Sequence, residues 1–132
     1  MRRNFSIVVL CALLMTLAVG CSKSPEERLR DHMSGVVNIV ELNKESPDKA
    51  AQEIEAYLQT HKADLADIQD AINTKEASLT PEELQDHRKR MEGMFAKVVT
   101  EYMELAGDNV GLFENESFVK AMEPLEFVPA TK

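Results

Sequence analysis

Three histidines, His32, His61 and His87, are the side chains best suited to chemistry in this chain. Imidazole nitrogens converging from facing helices can hold zinc, copper or haem iron. Acids also come in pairs, such as Asp64 with Asp67 and Glu53 with Glu55. Paired carboxylates do acid–base work only where an apolar pocket or close approach drives their pKa values apart, and exposed helix faces do not. Counting outward from the turn near Ala77 sets Arg88 and Arg90 across from Asp64 and Asp67, which gives both clusters an account as cross-helix ion pairs. Ser34 and Ser117 have no histidine at a meaningful spacing, and no Gly-rich phosphate loop or zinc-protease helix motif occurs. The expectation is a protein that is not an enzyme, with no catalytic residues, cofactor or metal site.

Whether the histidines meet depends on the elements that carry them. Three segments open alike, with Ser24-Pro25-Glu26-Glu27, Ser46-Pro47-Asp48-Lys49 and Thr80-Pro81-Glu82-Glu83. A hydroxyl caps an otherwise unpaired N–H, Pro presets φ at the first helical position, and early acids suit the positive end of the helix dipole. The first and third segments also place Glu three residues after the cap, as a capping box does. Behind each start the apolar residues recur at helical spacing. The first segment offers Leu29, Met33, Val36, Val37 and Val40, and ends near Asn43. The second offers Ala51, Ile54, Leu58, Leu65, Ile68 and Ile72, with His61 in the gap. The third carries Leu84, Met91, Met94, Val98, Tyr102 and Leu105, flanked by Phe95 and Val99, and stops at Gly107. Short connections make consecutive helices antiparallel.

The fold class expected is therefore all-α: an antiparallel three-helix bundle over 25–107, with a short fourth, C-terminal helix. From Gly107 the chain is expected to loop through Asp108, Asn109 and Gly111 to that helix at Glu116 to Met122, then Pro124 and an extended Leu125, Phe127 and Val128. The apolar residues of 108–132 would cover the open side of the bundle, the alternative being a free segment that docks a partner. Met33, Met91, Met94, Met103 and Met122 read mostly as gap-filling core, with an adaptable peptide groove as the sharper alternative.

At about 1.5 Å per residue, His32 and His61 come to similar heights, whereas an unbroken second helix leaves His87 on the order of 15 Å beneath them. A His32 and His61 pair is geometrically possible. Nothing in the sequence supplies further ligands.

Ahead of the bundle lie Arg2 and Arg3, an apolar run from Phe5 to Val19 broken only by Ser6 and Thr16, and then Leu17-Ala18-Val19-Gly20-Cys21. The run is short of the ~20 residues a membrane span needs and has the layout of a secretory signal. A small residue followed directly by cysteine resembles the lipobox of bacterial lipoproteins. The resemblance implies cleavage between Gly20 and Cys21, so that 1–20 is lost, and lipidation of Cys21, with 21–24 forming the anchor and short tether. Ser22, where Asp commonly signals inner-membrane retention, implies the outer membrane, facing the periplasm; inner membrane and cell surface are the alternatives.

Loss of 1–20 removes Arg2, Arg3 and Cys11, and lipid consumes Cys21, so no free thiol remains. The mature chain then has 13 basic and 23 acidic side chains, a formal charge of -10 against -8 for the whole sequence. That charge argues against nucleic acid, which demands clustered Lys and Arg. Only Ser22 and Lys23 separate the lipid from the Ser24 cap, a reach of about 10 Å. Lys23, Arg28 and Arg30 would then lie close enough to attract anionic lipid. The expected role is a membrane-anchored binding or accessory protein with an envelope protein as partner. The alternatives are a bundle that binds a metal, haem or small ligand, and a structural envelope protein or lipid-anchored inhibitor of a periplasmic enzyme.

Overall fold

The computed structural model describes residues 22–125, and among them the chain is all-helical. Helix α1 runs Pro25–Leu42, α2 Pro47–Thr60, α3 Lys62–Ala77, α4 Pro81–Asp108, α5 Val110–Glu114 and α6 Glu116–Met122, followed by a 3-10 turn at Glu123–Leu125. Gly20 and Cys21, with the expected cleavage and lipidation, lie outside the described residues, as do Phe127 and Val128.

Local chemistry sets most of these boundaries. At α1, Ser24 accepts from the Glu27 N–H while the Glu27 carboxylate accepts from the Ser24 N–H at 2.8 Å, and Thr80 and Glu83 repeat the arrangement at α4. Ser46 departs from the expected pattern. Its side chain makes no cap bond, because at φ -136° and ψ 75° it leaves the extended conformation of a cap, and its own N–H donates to the Asn43 carbonyl. Asn43 closes α1: its side-chain amide donates to the Ile39 carbonyl at 2.9 Å and to Glu53 at 2.8 Å, which ties the end of α1 to α2.

The expected second helix is not continuous. At His61 the backbone takes φ -100° and ψ 11°, far from the helical ψ of about -42°, and the axis turns there. The N–H of His61 still donates to Tyr57 and its carbonyl accepts from Leu65, so the chain bends without losing those bonds. The expected loop after Gly107 is also too simple. The helix continues to Asp108, Asn109 donates back to the Leu105 carbonyl, and 110–114 form a further helical turn.

Helix α1 is central, packing on α4 along one side and on α2 and α3 along another, while α6 lies on α2. Register follows from side-chain partners. Glu26 meets Lys75, Arg28 meets Asp64, His32 meets Tyr57 and Asn43 meets Glu53, so α1 runs opposite to the α2–α3 segment. Helix α4 runs alongside α1 in the same direction, with His87 near Glu26 at one end and Asp108 near Lys44 at the other.

The two ends of α1 differ in what they bury. Around its C-terminal half, Val36, Val40, Ala50, Ala51, Ile54, Leu112, Phe118, Ala121 and Met122 form one apolar cluster. The small Ala50, Ala51 and Ala121 fit the close pairing of α2 with α6, and fully buried Phe118 stands edge-on to Phe113 with ring centroids 5.6 Å apart. The residues after Gly107 thus complete this core as far as Leu125. Around the N-terminal half of α1, polar Glu26 and His87 are buried along with Ile68 and Ile72.

Candidate functional site

The bend at His61 has a direct consequence for the histidines. Its ring packs against His32 at 4.9 Å and against Tyr57 at 4.4 Å between centroids, so α1 and the α2–α3 junction share an aromatic cluster. His32 is fully engaged within it. Its Nδ1 is 2.9 Å from the Tyr57 hydroxyl and its Nε2 is 2.7 Å from Asp64, whose other oxygen is held by Arg28. These partners suit a neutral ring, with Nε2–H donating to Asp64 and Nδ1 accepting from Tyr57. Burial, followed by the neighbouring His61 and Arg28, holds the His32 pKa below its usual value against the opposing pull of Asp31.

The arrangement limits the chemistry available. A metal at His32 would have to displace either Tyr57 or Asp64 from the ring. Burial, then the charge of Asp31, raises the Tyr57 pKa and keeps it a phenol rather than a nucleophile. Among the described residues, no group of three or more His, Cys, Asp or Glu is arranged to hold a metal ion. His87 lies away from this cluster, beside Glu26 and Glu76.

The expected pairing of Asp64 and Asp67 with Arg88 and Arg90 is not formed. Asp64 instead serves Arg28 and His32, because the bend turns α3 along α1 and scarcely onto α4, leaving Arg88, Lys89 and Arg90 exposed. The cations expected to attract lipid are also committed within the chain. Lys23 and Arg30 both pair with Asp31, whose pKa is lowered by those two hydrogen bonds, and Arg28 pairs with Asp64.

Two features were not legible beforehand. The first is a polar junction: Glu26 and His87, only 3% and 2% exposed, meet where α1, the end of α3 and the start of α4 converge. Burial would raise the Glu26 pKa, but the bond and charge of Lys75 from α3, the backbone N–H of Glu26 and Ser24 outweigh it, so the net shift is downward. The second is an open cleft of about 590 Å³ between α1 and α4. Val37 and Leu105 contribute apolar surface there, and Glu41, Glu101, Glu104 and Asp108 face the single cation Lys44. Lys44 is raised above its ordinary pKa by the bond it donates to Glu41 and by the charges of Glu41, Glu45 and Asp108. Near this end Leu42 is 73% exposed and Met103 62%, so Met103 belongs to the surface and not to the core.

No protein-family model, curated protein or solved structure matches the chain. Among the described residues no helix is long and apolar enough to cross a membrane.

Proposed function

We propose that the chain is a small lipoprotein anchored through Cys21 in the outer membrane, and that its helical part is a binding or accessory module for another envelope protein. In this reading the helices form an antiparallel three-segment bundle, closed by the short helices after Gly107. The observation that carries it is the start of α1 at Pro25, capped by Ser24 and only a few residues beyond Cys21. Such a tether holds the Glu26 and His87 end of α1 at the bilayer. The acidic α1–α4 cleft, centred near Glu41, then faces away, about 25 Å along the helix. A cleft that offers Val37 and Leu105 with an excess of carboxylates suits a partner that brings apolar and basic groups.

Two measurements test this. Replacing Cys21 with Ala should abolish metabolic labelling by palmitate and leave the precursor uncut; labelling that persists would refute the anchor. A photo-crosslinking residue at Asn38, in the cleft, should capture a defined envelope protein in cells, and one at Lys62, on α3, should not. Equal capture from both sites would count against the cleft as the docking face.

A second reading rests on the cleft alone: its carboxylates could hold a small cationic ligand. Titration calorimetry of the protein with polyamines separates this from protein docking, since only a small-ligand site gives saturable heat with one stoichiometric event.

A further inference from the structure

The junction of α1, α3 and α4 contains two buried groups that neutral packing leaves unsatisfied. Glu26 Oε2 and His87 Nε2 have no hydrogen-bond partner among the described residues. The imidazole Nε2 lies 3.8 Å from Glu26 Oε1 on α1 and 3.7 Å from Glu76 Oε1 on α3, too long for hydrogen bonds but close enough for charge pairing. The only cation among the groups drawn together here is Lys75, whose ammonium is half-exposed and engaged with Glu26. With His87 neutral, the two carboxylates outnumber the cations by one. With His87 protonated, the charges balance and both carboxylates gain a partner.

Position makes this pairing consequential. Helices α3 and α4 scarcely pack on one another, so the start of α4 is held by α1 and by the cluster around His87. Unsatisfied buried polar groups are costly, and histidine is the side chain whose charge ordinarily changes between pH 5 and 8.

We propose that His87 is a proton-operated latch: its protonation draws Glu26 and Glu76 onto the imidazolium and pins the start of α4 to α1 and α3, and its deprotonation loosens that end. The groups facing it are Glu26 from α1, and Glu76 and Lys75 from α3. The latch is independent of the proposed docking role, because it lies at the opposite end of α1 from the cleft. Protonation of His32 acts in the opposite sense, so the test must be local.

Amide exchange resolved by NMR on the full chain in detergent micelles supplies such a test without any substitution. After correction for intrinsic rates, amides of Leu84 to Arg88 should be about tenfold better protected at pH 5.5 than at pH 7.5, with the change following the His87 ring signal. His87→Gln should abolish that difference while His32→Gln leaves it in place. Equal protection at both pH values overturns the proposal. So does a pH dependence that survives in His87→Gln, or one that follows the His32 signal.

Discussion

The hydroxyl of Tyr57 occupies the space that a side chain on Gly35 would need. A Cβ at Gly35 would lie 2.8 Å from that hydroxyl and 3.1 Å from the ring carbon bearing it. Glycine within a helix ordinarily costs about 0.5–1 kcal/mol relative to alanine. Here it lets α1 approach Tyr57 closely enough for His32 to take the phenol as a partner. Gly35→Ala should therefore destabilise the protein by about 1–2 kcal/mol despite its better helix propensity. In a Tyr57→Phe background, where the nearest clashing atom is gone, the same change should cost less. Urea denaturation of the four proteins measures the coupling, and strictly additive effects would show that the contact is unimportant.

His32 makes a prediction about pH. Its folded-state pKa is lowered by burial, His61 and Arg28, so below the ordinary histidine value the unfolded chain binds the proton more readily than the folded one. Stability from this site is complete above about pH 6.5 and is lost as pH falls through the ordinary value toward the folded one. Going from pH 7.5 to pH 5.5, the wild type should lose stability relative to His32→Gln. A constant difference between the two melting curves across that range would show that His32 does not titrate as its surroundings require.

Glu26 responds to acid in the same direction, but in the carboxylate range. Burial alone would raise its pKa, but the hydrogen bond and charge of Lys75, its own backbone N–H and Ser24 bring it below the usual glutamate value. Its contribution is fully present above about pH 4.5 and disappears as pH falls through the lowered value. Glu26→Gln should cost about 1–2 kcal/mol near neutral pH, a range held down because Lys75 is half-exposed and solvent screens the pair. Denaturant titrations from pH 7 to pH 3 should show a shallower acid limb for the variant.

How much of this could be read in advance depended on whether the signal was local. The starts of α1 and α4 were legible because Ser24 with Glu27 and Thr80 with Glu83 each act within one turn. The helix at Glu116 to Met122 was also expected, and the structure adds that Asn115 caps it by accepting from the Phe118 N–H. The bend at His61 was not, because neither Gly nor Pro marks it and the apolar spacing carries through. That bend decided the pairings: it brought Asp64 to Arg28 and His32 and left Arg88 and Arg90 exposed. Glu26 looked like an ordinary first-turn acid. Its burial against His87 depends on how α4 returns to α1, which no residue near Glu26 encodes.

The C-terminal helices provide the test of whether they belong to the core or merely rest upon it. Phe118 is wholly buried within a cluster shared by α1, α2, α5 and α6, and Asn115 spans two elements by accepting from the Phe118 N–H and donating to Asp48 at the start of α2. Phe118→Ala should cost about 3–5 kcal/mol, a large part of the 5–15 kcal/mol that stabilises a small domain. Asn115→Ala removes the cap and an exposed bond and should cost only about 1 kcal/mol. If the two helices form part of the core, Phe118→Ala lowers the midpoint of the single unfolding transition seen for the whole protein. If they are an appendage, proteolysis in the Phe118→Ala variant will trim the chain near Asn109 while the remaining helices melt where the wild type does. That second outcome would place the cooperative unit in α1 to α4 alone.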